Sequence, residues 1–249
     1  MKLEKIVPWL DKTLKVADFD DVSNNGLQVD PFAPVATEHS NNPNNRTIST
    51  VAFAVDASVK AVQEAAKAGA QLLVVHHGIS WGGGIRRVTG GVGNVVRAAI
   101  ERHIAICAYH LPLDAHPALG NNAQLAKLLG LKNVRKAFSY HGNVIGLVGV
   151  LESLESLEVL GLLEKSASLK APLTLGVCSG GAGEFAEEAK RLGCDLYLTG
   201  EANWGDVIAA ENCGMEMICA GHYETEVFGV RALAKAMKKA LRVKTVDLT

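Results

Sequence analysis

Histidines and acids recur at three places where an apolar run gives way to a polar turn: His76-His77, His110 with Asp114, and His222 with Glu226. His222 and Glu226 are four residues apart, so on a helical turn they share one face, with Cβ atoms roughly 5–6 Å apart. An imidazole and a carboxylate placed that way suit a divalent metal ion. The plainer reading of that turn is a helix start with a capping acid, and the plainer reading of any single histidine is a ring bonded to a carbonyl. The set argues for ligation, because four of the eight histidines stand at these strand ends. Adjacent His76 and His77 would point to opposite sides of a continuing strand, but a chain that turns there lets one face each of two ions.

Five ligands are too many for one tetrahedral site that keeps an open position. They suit two ions about 3.5–4 Å apart, with a carboxylate, Asp114 or Glu226, as the bridge. Without a nearby cysteine motif, histidines and acids point to Zn, Fe, Mn or a similar divalent ion. Such a pair lowers the pKa of bound water and polarises a phosphoryl or carbonyl-like oxygen, which makes hydrolysis the natural reaction class. His110 and His116 are the candidate catalytic proton carriers, the alternative being that they orient ligands or the loop. The turn Ser179-Gly180-Gly181-Ala182-Gly183-Glu184 is a weak phosphate-loop signal, since it lacks the Lys and Ser/Thr of a P-loop and glycines there also arise for sterics. Glu201 and Trp204 stand at a further strand end, where Trp204 reads more readily as core.

The elements that must position these groups alternate along the chain. An amphipathic helix over 1–15, rather than a signal peptide, is followed by a polar turn into a short strand at 26–29. An Asn- and Pro-rich stretch over 37–47, containing His39, reads as an exposed loop. From Thr50 a strand, an alanine-rich helix and a second strand at 71–75 form a βαβ unit that delivers His76-His77. A helix near 93–102 and a strand at 104–109 then deliver His110. Beyond residue 131 come a strand at 144–150, a Glu/Leu helix near 154–169, and a second βαβ unit with strands at 173–178 and 196–198. The chain closes with a strand at Met215 and a long helix starting at His222. In open α/β sheets ligands gather outside the carboxyl ends of the strands, where these residues lie.

At 249 residues and 48% hydrophobic content, the chain suffices for one large or two small cores. A formal charge of -1 sets up no field to recruit nucleic acid or anionic lipid. No apolar run approaches the ~20 residues of a membrane span. The five cysteines show no CxxC spacing, which fits reduced packing thiols of a cytoplasmic protein.

The motifs NNGLQV (24–29), VVHHGISW (74–81), YHLPLDAHP with GNNAQLA (109–126), CSGGAGE (178–184), TGE (199–201) and GHYETE (221–226) resemble those of the Nif-three-like family, whose members carry the name GTP cyclohydrolase I type 2 homologue. The resemblance covers nearly the whole chain. It implies two interlocked α/β halves, an outer one over 1–130 plus 215–249 that carries the metal ligands and a middle one over 131–214. It further implies a dinuclear centre on His76, His77, Asp114, His222 and Glu226, a toroidal homohexamer, and a small-molecule substrate of nucleotide-like or heterocyclic kind. After TGE the family often shows a histidine-containing stretch, whereas this chain has Ala202-Asn203-Trp204-Gly205-Asp206. The alternative of another class is a metal-bearing regulatory or scaffold protein without turnover.

Overall fold

The computed structural model describes residues 1–32, 47–162 and 169–249. It divides into two compact units, Met1–Leu113 with Val230–Thr249, and Asp114–Gly229.

In the first unit, α1 (Leu3–Leu14) buries Leu3, Ile6, Leu10 and Leu14 at helical spacing and ends at Lys15, whose φ of 54° reverses the chain. The sheet comprises β1 (Gly26–Val29), β2 (Thr50–Asp56), β3 (Leu72–His77), β4 (Ala105–Ala108) and β10 (Lys244–Asp247), in the order β1-β4-β3-β2-β10. β10, β2, β3 and β4 run parallel, and β1 pairs antiparallel with β4. Two helices, α2 (Val59–Lys67) and α3 (Gly90–Glu101), make the crossovers. β2 and β3 are buried on both faces, which is why TVAFAV and LLVV read as unbroken apolar runs. Ser58 caps α2 by accepting the Ala61 N–H at 3.0 Å. That leaves Asp56, at the end of β2, available for another task. Val62, Ala65, Leu73, Val75, Ala99 and Ile106 form the centre of the core.

In the second unit, α5 (Asn121–Leu128) precedes a hairpin of β5 (Lys132–Tyr140) and β6 (Asn143–Leu151). The hairpin turns on His141 and Gly142, whose φ values of 47° and 78° are those of a two-residue turn matching strand twist. After α6 (Glu155–Val159) come β7 (Leu173–Cys178), α7 (Ala186–Arg191), β8 (Leu196–Thr199), α8 (Trp204–Cys213) and β9 (Glu216–Cys219). The sheet order is β5-β6-β7-β8-β9, antiparallel through β7 and parallel beyond it. The helix α9 (His222–Leu241) follows β9 after two residues, and residues from Val230 onward count with the first unit. Leu125 and Leu129 pack with Leu175, Leu196 and Ile218. Burial of those leucines draws α5, and the strand at 216–219, into the second unit, so the division falls before residue 114 instead of near 130.

Several sequence expectations change. β5 reads as no strand because its first five residues are exposed and three of them are basic; it is held by its ladder with β6. The helix expected near 93–102 starts at Gly90, and the one expected over 154–169 ends at Val159. Positions 37–46 of the expected loop, His39 included, and 163–168 of that helix lie outside the described residues. Trp204 is 76% exposed, because it opens α8 directly after the Asn203 cap rather than facing a core. Cys107, Cys178 and Cys194 are buried, but Cys219 is exposed at the end of an edge strand. No described helix is long and apolar enough to cross a membrane.

Candidate metal centre

In the first unit three imidazoles meet at the carboxyl ends of β3 and β4. One ring nitrogen from each of His76, His77 and His110 lies within 4.8 Å of those of the other two. The ring centroids of His76 and His77 are 4.6 Å apart, so the two neighbours converge where the strand ends. Each ring is fixed through Nδ1. His76 Nδ1 is 2.9 Å from the Tyr109 carbonyl, His77 Nδ1 is 2.9 Å from Asp56 Oδ1, and His110 Nδ1 is 2.9 Å from Asp21 Oδ1. A carbonyl or an ionised carboxylate only accepts, so Nδ1 carries the hydrogen and the lone pair of the neutral ring is on Nε2. This is the arrangement of metal-binding histidines whose outer nitrogen is held by an acceptor.

The NNGLQV segment supports this cluster. Asn25 Oδ1 accepts the His110 N–H at 2.7 Å, and Gln28 Oε1 accepts the Ile79 and Ser80 N–H groups at 2.7 and 3.2 Å. Asp21 also takes the Leu111 N–H. Burial pushes the Asp21 carboxyl up, but the hydrogen bond and charge of His110, with bonds from Ser23 and Asn25, together outweigh it and hold the group below its ordinary range. Trp81 lies edge-on to His110, ring centres 5.2 Å apart.

The second unit holds two acids and a histidine. Asp114, 7% exposed, ends the single turn α4 (Leu111–Asp114) that begins one residue after His110. Its Oδ1 accepts from Asn121 Nδ2 at 2.8 Å and Ser179 Oγ at 3.2 Å. Asn121 in turn accepts the Gly229 N–H, and Asn122 bridges the Ser179 N–H and the Ile145 carbonyl. On the first turn of α9, His222 Nε2 is 3.2 Å from Glu226 Oε1, and Nδ1 is 3.1 Å from Glu201 Oε1. The Glu226 hydrogen bond is the main cause that lifts the His222 pKa to about 9, with Glu201 adding to it against burial.

The glycine-rich turn after β7 closes around this pair. Gly180 has φ +70°, and a Cβ there would overlap Glu226 Oε1 and stand 3.3 Å from His222 Nε2. Its N–H donates to Thr225 Oγ1, and its carbonyl accepts from Gly200 and Glu201. The turn thus cradles a histidine and an acid, the steric role that the sequence left open beside phosphate binding. His116 sits apart from these groups in its bonding: its Nδ1 accepts the Ala118 and Leu119 N–H groups at 3.1 and 3.0 Å, which leaves the ring hydrogen on Nε2. Sequence reasoning missed Asp21 and Asp56 as histidine partners. Nothing in spacing marks either, because their partners are 89 and 21 residues away.

A family model described as Duf34/NIF3 (NGG1p interacting factor 3) matches residues 1–249. The chain belongs to the NIF3 family. A NIF3 relative from Pyrococcus horikoshii, named GTP cyclohydrolase 1 type 2 homolog, is 38% identical over 99% of this chain and 97% of its own length. One of the same name from Deinococcus radiodurans is 37% identical over 93% and 86%. Among solved structures, protein ybgI, of unknown function, superposes with a TM-score of 0.85 at 29% identity, covering 100% of this chain and 98% of that one. Reduced HcgD from Methanocaldococcus jannaschii gives 0.80 at 25% identity, with coverage of 100% and 98%. The residues present fit a metal: the first unit brings three imidazoles together, each braced through Nδ1, and the second carries Asp114, His222 and Glu226, residue types that bind divalent ions.

Proposed function

We propose that the chain is a dinuclear metal-dependent hydrolase acting on a nucleotide-like or heterocyclic substrate, with His76, His77, Asp114, His222 and Glu226 holding two divalent ions of the Zn, Fe or Mn kind. The observation that carries this reading is the meeting of three imidazoles in the first unit, each with Nδ1 held by an acceptor. The relatives' name, GTP cyclohydrolase 1 type 2 homolog, makes a guanine nucleotide the first substrate to try. When bound, such ions lower the pKa of water and polarise a substrate oxygen.

The chain's own groups do the rest. Glu226 offers two oxygens from a buried position and would help hold the ions. Asp114 is oriented through Asn121 and Ser179. His110, backed by Asp21, holds or passes a proton at Nε2. His116, its ring fixed through Nδ1 by two backbone N–H groups, is the second candidate proton carrier. The toroidal homohexamer belongs to the same proposal and is read by sedimentation.

Elemental analysis joined to turnover tests the reading. Wild type should carry two ions per chain, Asp114→Ala and Glu226→Ala fewer, with activity on GTP or a related nucleotide lost in both. Metal-loaded wild type that leaves GTP and a nucleotide panel unchanged, and so behaves as Glu226→Ala does, sinks the catalytic claim.

A further inference from the structure

The second unit contains a cleft of about 480 Å3 lined by α5, the β5–β6 hairpin and the segment from Asp114 to Pro117. That volume is within the ~300–1,000 Å3 of small-molecule sites. The bond from Asn122 to the Ile145 carbonyl fixes the end next to Asp114. Lys127 lies five residues further along α5, about 7–8 Å at about 1.5 Å of rise per residue. Lys136 pairs with Leu147 across the β5–β6 ladder. Between them the surface is apolar, with Ala123, Ala126, Val134 and Leu147 in the lining.

The charges along this cleft are unequal. Its lining includes one acid, Asp114, whose carboxylate is already taken up by Asn121 and Ser179. Against it stand three bases, of which Arg135 is turned to the Leu192 carbonyl at 3.2 Å, while Lys127 and Lys136 are exposed. His116 is also in the lining, its ring fixed through Nδ1, which accepts two backbone N–H groups. The complement of an apolar slot with two ammonium groups is a flat body bearing an anionic arm.

We propose that this cleft seats a phosphate-bearing heterocycle, with its ring against Ala123, Ala126 and Leu147 and its phosphate between Lys127 and Lys136. The heterocycle rests on the hydrolase reading above, since Asp114 closes one end of the slot; the phosphate rests on the lysines alone. Lys127 and Lys136 set affinity for the charged arm and leave the ring contacts untouched.

The test is calorimetric titration of the full-length chain, kept in EDTA, with GTP and with guanosine, for wild type and for Lys127→Glu/Lys136→Glu. GTP should bind wild type more tightly than guanosine does, and its Kd should rise at least tenfold in the double variant while that of guanosine holds. Raising KCl should weaken GTP binding to wild type and leave guanosine unaffected, a readout that needs no variant. GTP binding equal in the two proteins, indifferent to KCl, or no tighter than guanosine overturns the proposal. EDTA keeps the outcomes separable: metal-loaded wild type without turnover removes the hydrolase reading, and phosphate-dependent binding in EDTA would still stand.

Discussion

The steric fit of Gly180 against Glu226 gives a prediction with an internal control. Gly180 and Gly193 both have left-handed φ, +70° and +78°, but only Gly180 has neighbours within 4 Å of where a Cβ would stand. Alanine in that conformation costs about 1–2 kcal/mol of backbone strain. Loss of unfolded-chain freedom returns about 0.4–1 kcal/mol of it. Gly193→Ala should therefore lose about 1 kcal/mol. Gly180→Ala bears the same strain and must also push the Glu226 carboxylate, 3% exposed, away from its 3.2 Å approach to His222. Disturbing a buried charged partner adds about 1–3 kcal/mol, so the metal-free Gly180→Ala chain should lose roughly 2–4 kcal/mol in all. Urea unfolding of both variants in EDTA measures the difference, and elemental analysis after reloading measures the ions retained. Equal losses in the two variants, with wild-type metal content in Gly180→Ala, would refute the claim that this turn exists to fit the carboxylate.

Asp56→Asn weakens the hold on His77 and should lower zinc affinity about 10–100-fold in competition with a chromophoric chelator; unchanged affinity would make that carboxylate incidental. In the metal-free chain His222 has its pKa raised from 6.5 to about 9 by Glu226, so the folded state holds that proton more tightly than the unfolded one. The stabilisation is complete below about 6.5 and lost as pH rises through about 9, so the melting temperature in EDTA should fall across that window more steeply for wild type than for His222→Gln. Solvent reaches a third of that side chain, so the effect is small, and parallel curves contradict it. Asn122→Ala removes the bridge between the Ser179 N–H and the Ile145 carbonyl and should lose about 2–6 kcal/mol in urea unfolding, at about 1–3 per buried group left unmet; a loss under 1 would show that both groups find other partners.

The sequence made the central strands and the ligand-type residues legible for physical reasons. Strands buried on both faces leave unbroken apolar runs, and a strand end followed by His-His or by Gly-His interrupts such a run visibly. What supports the histidines was not legible. Asp21 and Asp56 reach His110 and His77 across the sheet, a relation that strand order creates and local spacing does not record. β5 escaped notice because an edge strand needs only one ladder partner and tolerates the exposed Lys132, Arg135 and Lys136. Asn121 and Asn122 stand in the GNNAQLA motif, but nothing local shows that both are buried and spend their side chains on other segments.

The anchoring of all three Nδ1 atoms has a consequence for how an ion is chosen. The rings are oriented by folding itself, so a cation arriving at their far nitrogens would find the tautomer already set and little to rearrange. A receptacle made rigid in advance gains strength without gaining discrimination, because imidazole and carboxylate donors rank the first-row ions by the same general order wherever they occur. Occupancy would then follow the metals within reach when the chain folds, and protein from differently supplemented media should carry different ions in the same seat.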